Sequence, residues 1–217
     1  MCKRQFLKTA LVVLAVMLSF VCVLPAYCAI ETSLLVDVSA STDNVSYQQT
    51  QWYGFSAVGG KGYCATLTPL TGNSDLYLLD NGFNLKTSSK NTGLTVDKVW
   101  YGKSASGPMH IAAYGTGNPS TNYTIQVISA PYVTSISPTS GGAGILVTIN
   151  GFGFGATRGT NYVKFGNVQA TIYYSWTNTQ IKVYVPSGVS GGTVQITVAV
   201  AAVTSNAKNF NLHIVPY

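Results

Sequence analysis

Short β-prone runs separated by turn residues limit most sharply what this chain can become. Stretches rich in Val, Ile, Thr, Tyr and Phe recur about every eight to twelve residues, with Gly, Asn, Ser and Pro clusters between them. In the first half these are QWYGFSAV, YCATLTPL, DLYLLD, KVWYGK, HIAAYG and YTIQVIS. In the second they include GILVTING, NYVKFG, ATIYYSW, QIKVYVP and TVQITVAV. Beyond the first 29 residues no segment carries a 3.6-residue apolar period, so the predicted class is all-β, with two β-sandwiches in tandem. A break is expected at Ser129-Ala130-Pro131, giving domains 29–130 and 131–217. Each is long enough to bury its own core. The Asn-Gly of Asp80-Asn81-Gly82-Phe83 predicts a type I′ hairpin turn, and Asp43-Asn44 reads as loop.

Residues 1–28 read as a secretory signal peptide. Lys3, Arg4 and Lys8 precede an apolar run from Ala10 to Leu24, and the small-residue site follows at Ala26-Tyr27-Cys28. Cleavage is expected after Cys28, with cleavage after Ala26 as the competitor. Bulky Tyr27 before Cys28 argues against a lipoprotein, and an uncleaved anchor is the alternative for an apolar run of this length. Three of the four cysteines then leave with the leader, and Cys64 stands alone, without a disulfide or cysteine metal site. Retention of Cys28 would allow a bridge to Cys64.

Loss of the leader lowers the formal charge from +6 to about +3. All six acidic residues (Glu31, Asp37, Asp43, Asp75, Asp80, Asp97) precede residue 100. From Pro131 onward only the cations Arg158, Lys164, Lys182 and Lys208 are charged side chains. An exported chain with scattered cations is a poor nucleic-acid binder. A sparsely charged, Ser/Thr/Asn-rich exterior explains this half better than an anion-binding surface does.

Gly151-x-Gly153-x-x-Ala156 after the run ILVTIN satisfies, on spacing alone, a dinucleotide-binding fingerprint. Such a loop needs a helix to receive the pyrophosphate and an acidic residue about 20 positions on. TRGTNYVKFG follows instead, and no Asp or Glu lies downstream. No nucleotide or other cofactor is therefore expected. Gly151, Gly153 and Gly155 are predicted to be structural, in a bulge or tight bend.

The second half carries Ile136-Ser137-Pro138, Gly141-Gly142, Val147-Thr148-Ile149-x-Gly151-x-Gly153-Phe154 and Val163-x-Phe165-Gly166. Trp176, Ile181, Val183, Val185-Pro186 and Ser205-Asn206 complete the pattern. Over 131–217 it resembles an IPT/TIG domain, which implies an immunoglobulin-like β-sandwich without catalytic activity of its own, a structural glycine segment and a core position for Trp176. The first half resembles the bacterial pre-peptidase C-terminal (PPC) domain through Tyr53-x-Phe55, Asp75-Leu76-Tyr77-Leu78, Ser88-Ser89, Gly107 and Tyr123–Val127. That implies a jelly-roll-like sandwich appended to secreted proteins. Asn73-Ser74 stand where relatives often carry further acids, which puts any calcium site in doubt.

Candidate chemistry is sparse. Asp75 and Asp80 sit at odd spacing, so alternation puts them on opposite faces of a strand and no metal site is expected. His110 and His213 are isolated in apolar strands and read as packed or surface residues. No nucleophile elbow appears, and an enzyme, such as a small hydrolase, is disfavoured. The aromatic pairs are the better candidates. Tyr53, Phe55 and Ala57 share a core face, which turns Trp52 outward with Gly54 and Ser56. Trp100 and Tyr101 repeat the adjacency. Trp52, Trp100 and Tyr101 are the candidate partner-binding residues, against the alternative that the indoles merely cover a sandwich edge or an expected interdomain contact.

The expected protein is a secreted, non-catalytic binding or adhesion module at the bacterial cell surface, with the periplasm as an alternative location. Its partner would be a polysaccharide or a protein. A structural component of an extracellular array is the rival reading. Intact-mass analysis and thiol labelling of the exported protein should show an N-terminus at Ala29 and one free thiol. An N-terminus at Met1 would refute export by cleavage.

Overall fold

The computed structural model describes residues 31–190 and 192–213, and the leader with its cleavage site lies outside them. The strands of the first half are β1 (Thr32–Ser33), β2 (Ser41–Ser46), β3 (Thr50–Ala57), β4 (Lys61–Pro69) and β5 (Ser74–Asp80). They continue with β6 (Leu85–Ser89), β7 (Asp97–Lys103), β8 (Gly107–Gly115) and β9 (Ser120–Ser129). The second half holds β10 (Tyr132–Ser137), β11 (Ser140–Gly141), β12 (Leu146–Phe152), β13 (Tyr162–Phe165) and β14 (Val168–Gln169). After these come β15 (Tyr173–Trp176), β16 (Gln180–Tyr184), β17 (Gly192–Val200), β18 (Val203–Thr204) and β19 (Lys208–Leu212). The described chain is thus all-β, as the turn spacing predicts.

Two compact units emerge. One runs up to Ala57 and takes in Cys64–Val99 and Gly107–Ile128. The other comprises Val58–Tyr63, Trp100–Ser106 and the chain from Ser129. In the first, one sheet has the order β1-β3-β8-β5-β6 and the other β2-β9-β4-β7. Alternation along β3 buries Tyr53, Phe55 and Ala57, which join Leu67, Leu76, Leu78, Met109, Ile111, Tyr123 and Ile125 in the buried apolar set. Burying that many apolar side chains, at roughly 1.5–3 kcal/mol each, is the main stabilising term.

Asp43 and Asn44 correct the sequence reading. They lie inside β2, paired with Tyr123 and Asn122 of β9. Tyr53 Oη donates to Asp43 Oδ2 at 2.8 Å and lies 2.6 Å from Tyr123 Oη. Since Tyr53 has one proton, Tyr123 must donate to it. This buried relay outweighs the poor strand propensity of Asp-Asn. Burial first, then Tyr123 and Asp43, pushes the Tyr53 phenol far above its ordinary range.

The second unit has sheets ordered β10-β12-β16-β15 and β11-β19-β17-β13-β14, with β18 beside β17. Between them lie Val133, Val147, Ile149, Phe154, Val163, Phe165, Ile181, Val183, Ile196, Val198 and Phe210. Trp176 packs half-buried against this core, and its indole N–H donates to Phe154 O at 2.9 Å.

The glycine segment makes the wrap that inserts Phe154. A Cβ on Gly151 would overlap the Tyr132 carbonyl oxygen and the Phe154 ring. Gly153 (φ 74) and Gly155 (φ 84) are left-handed. A turn and then β13 follow them. Phe154 N–H donates to Asn178 O (3.1 Å) and Gly155 N–H to Asn178 Oδ1 (3.1 Å), so these two donors are used internally.

Gly153→Val should destabilise the second unit by roughly 1–3 kcal/mol through its left-handed backbone. Gly151→Ala, which meets a backbone oxygen, should lower stability by about 3 kcal/mol or more. Denaturant unfolding of both variants checks this, and an unchanged midpoint for either would refute the structural role.

Candidate functional site

A sheet in a two-layer sandwich normally leaves its outer face wet, and alternation should show it. β5 and β8 depart from this. Ser74 to Leu79 are all buried, as are Met109 to Ala113. The outward residues Tyr77, Leu79 and Ala112 form a second apolar cluster outside the sandwich core, with Trp52, Phe83 and Tyr114 packed half-buried against it.

Register places these side chains. Trp52 of β3, Ala112 of β8 and Tyr77 of β5 form one cross-strand row. Gly54, His110 and Leu79 form the next, and Thr50, Tyr114 and Asp75 the one on the other side. Ala112 is therefore a small floor between Trp52 and Tyr77, with His110 and Tyr114 two residues away along its own strand.

Phe83 covers the His110 side. The expected type I′ turn is not what forms: the left-handed residue is Phe83 (φ 58), rather than Asn81 and Gly82. The cause is Asp80, whose Oδ1 accepts from Gly82 N–H (2.9 Å), Asn84 N–H (3.0 Å) and Asn84 Nδ2 (3.0 Å), while Lys86 Nζ reaches Oδ2 at 2.6 Å. A carboxylate cap closes the turn through Phe83 N–H to Asp80 O (2.9 Å) and leaves the positive φ to a residue that rarely adopts it. Packing compensates. The Phe83 ring stacks on His110 at 4.1 Å and 14°, and meets Trp52 edge-on at 5.5 Å.

His110 is 5% exposed. Its Nδ1 contacts Glu31 Oε1, and its Nε2 is buried without a partner. Glu31 lies over Gly54, where any Cβ would meet its carboxylate. The Trp52 ring is thus flanked on the Gly54 side by Glu31, not open as its small neighbours suggest. Asp75 accepts from Tyr77 Oη at 3.2 Å, and burial above all holds its carboxyl above the ordinary range. Lys90 Nζ lies 5.2 Å from the centre of the Tyr77 ring.

The other sequence candidates lie elsewhere. Trp100 and Tyr101 are on β7, which belongs to a different sheet from β3, so Trp100 does not share the sheet face of Trp52. Both group with the second unit, where Tyr101 sits 6.5 Å from Tyr132. The Trp100 indole nitrogen is buried without a partner. His213 is exposed. Cys64 is buried, which raises its thiol above the ordinary range. Among the described residues no group of three or more His, Cys, Asp or Glu could hold a metal ion. Sequence reasoning missed Tyr77, Phe83 and Tyr114. The legible signal was DLYLLD, whose outward Tyr77 and Leu79 are as apolar as its inward residues.

Comparison with known proteins adds the following. Residues 131–213 match the IPT/TIG domain family. An 81-residue stretch is 36% identical to a cyclomaltodextrin glucanotransferase of Niallia circulans, covering 37% of this chain and 11% of that enzyme. Among solved structures, the pre-peptidase C-terminal domain of collagenase from Bacillus anthracis aligns with 14% identity over 48% of this chain and 99% of that one, at a TM-score of 0.38. The Bacteroides ovatus mixed-linkage glucan utilization locus protein SGBP-B, solved with a mixed-linkage heptasaccharide, aligns at 13% identity. That alignment covers 88% of this chain and 44% of that one, at a TM-score of 0.31.

Asp80 gives a pH test of the hairpin cap. Burial alone would raise its pKa, but Lys86, Asn84 and Gly82 lower it to about 2. Its contribution is present above the unfolded value, roughly 3.9, and is lost as pH falls through the folded value. Asp80→Asn should lower unfolding free energy by about 1–2 kcal/mol above pH 5, after allowance for partial exposure, with the difference from the parent disappearing near pH 2. An equal loss at both pH values would show that the charge is not what holds the turn.

Proposed function

Residues 131–213 being an IPT/TIG domain, we propose that the chain is an exported, non-catalytic β protein whose first module binds a polysaccharide or protein at the bacterial cell surface. The IPT/TIG domain would support that module. The observation that carries the reading is the aromatic outer face of the β3-β8-β5 sheet: Trp52 and Tyr114 remain half-exposed over a buried apolar floor. A sparsely charged surface must draw affinity from such anchors rather than from ion pairs. The lone buried histidine is engaged by Glu31 and Phe83, an arrangement that suits a packed side chain better than a general base. Export rests on the leader-like residues 1–28. The PPC-like, jelly-roll identity of 29–130 rests on Tyr53-x-Phe55, Asp75–Leu78 and Tyr123–Val127. The 81-residue likeness to a glucanotransferase is consistent with a saccharide setting, although its activity is not carried over.

One observation favours assembly instead. β15 is the outer strand of its sheet; Tyr174 within it is 66% exposed and Ile172 just before it 64%. Open strand edges with apolar side chains can pair between chains.

Purified mature protein should co-sediment with isolated envelope or bind members of a polysaccharide panel while remaining monomeric. No binding, together with polymers that grow with protein concentration, would reject the binding reading in favour of assembly.

A further inference from the structure

We propose that the outer face around Ala112 is a subsite for a ring of an uncharged saccharide, with Trp52 and Tyr114 as the stacking platform and Asp75 as the hydroxyl acceptor. This rests on the binding-module reading above and names its site and ligand class.

The geometry comes from register. Trp52 lies directly across from Ala112, and Tyr114 is two residues further along β8, so the two are diagonal neighbours. Diagonal side chains on one face are about 7–8 Å apart at the backbone, within reach for aromatic rings. A pyranose ring presents C–H groups on its faces and hydroxyls around its edge. It therefore suits rings flanked by a hydrogen-bonding rim. Asp75 sits directly across from Tyr114. Its carboxylate takes one bond from Tyr77 and has lone pairs remaining. Tyr77 and Ala112 close the floor at 7% and 4% exposure.

Charge selects the ligand class. The charged groups around this face are engaged within the protein: Lys86 with Asp80, His110 with Glu31, Lys90 over Tyr77 and acting on Asp75, Asp75 with the Tyr77 hydroxyl, and Asp97 with Ser89 and Asn91. A uronate or sulfated sugar would meet Asp75 without a cation dedicated to it. The cations of the Asp/Glu-free half, Arg158, Lys164, Lys182 and Lys208, all belong to the second unit. The rigid support is a hairpin locked by the Asp80 cap, with Phe83 braced on Trp52 and His110.

The test uses affinity electrophoresis of the full mature chain through gels containing soluble neutral α-glucan, β-glucan or galactomannan, with alginate and hyaluronan as anionic counterparts. At least one neutral polymer should retard the protein, with little dependence on salt. Trp52→Ala and Tyr114→Ala should each weaken retardation about tenfold or more. Trp52→Phe should keep most of it, and Trp100→Ala should leave it unchanged. Unfolding of Tyr114→Ala and Trp52→Phe should stay cooperative, separating binding from folding. Retardation that survives both alanine variants would overturn this site while leaving the binding-module reading intact. Binding to the anionic polymers alone, or displacement by tetramethylammonium, would overturn the ligand class. If no polymer and no envelope fraction binds, both the subsite and the reading it rests on fail.

Discussion

The outer face of the first unit depends on one carboxylate. Asp80 draws in Gly82, Asn84 and Lys86, and that cap makes Phe83 the left-handed residue of the hairpin. Phe83 then lands on the His110 ring and against Trp52. His110, fixed from above, holds Glu31, and the following residues Thr32 and Ser33 run parallel to Tyr53 and Gly54 as β1. A chain of local contacts thus converts an ordinary sheet surface into a covered apolar one. Backbone strain at Phe83, about 1–3 kcal/mol for a residue of its kind, persists because the surrounding contacts determine its position.

The second unit solves its polar problems without carboxylates. Asn206 is reciprocal with Val133, accepting from its N–H at 2.7 Å and donating to its carbonyl at 2.9 Å. Asn178 accepts from Gly155 N–H and donates to Gly60 O. Asn161 Oδ1 takes Ala201 N–H, and Ser205 Oγ takes Val198 N–H while donating to Asn206 O. Each amide satisfies backbone groups that strand pairing leaves over, and burying them unpaired would be costly. Neutral amides do this without the desolvation penalty of a charge. The low charge of this half is therefore compatible with well-bonded backbone ends and needs no anionic partner to explain it.

These two solutions bear differently on function. In the second unit the glycine segment and the asparagines turn inward, toward backbone and core. In the first, the strained hairpin supports rings that stay half-exposed. Rigid, half-buried aromatics give contact area at little entropic cost, because their positions are already set before a ligand arrives.

The sequence by itself determined the all-β class, the inward face of β3 and that a turn and a strand, not a helix, follow the Gly151–Gly155 segment. Period-two alternation, missing helical periodicity and the absence of acids after residue 130 are local properties, readable without knowing which strands pair. It also determined the IPT/TIG pattern of the second half, where Ser205, Asn206 and Trp176 serve as backbone partners. Only the tertiary structure decided the composition of the candidate site. Trp52, Ala112, Tyr77 and Tyr114 come from three strands spread over more than sixty residues, and their adjacency is set by cross-strand register. Glu31 covers Gly54 because β1 docks there, and Trp100 belongs to another sheet because β7 pairs with β4. The type I′ turn expected from Asn-Gly was displaced in part for the same kind of reason. The local Asp80 cap and the long-range Phe83–His110 stack together outweigh the Asn-Gly preference, and only the second of them needs the tertiary structure.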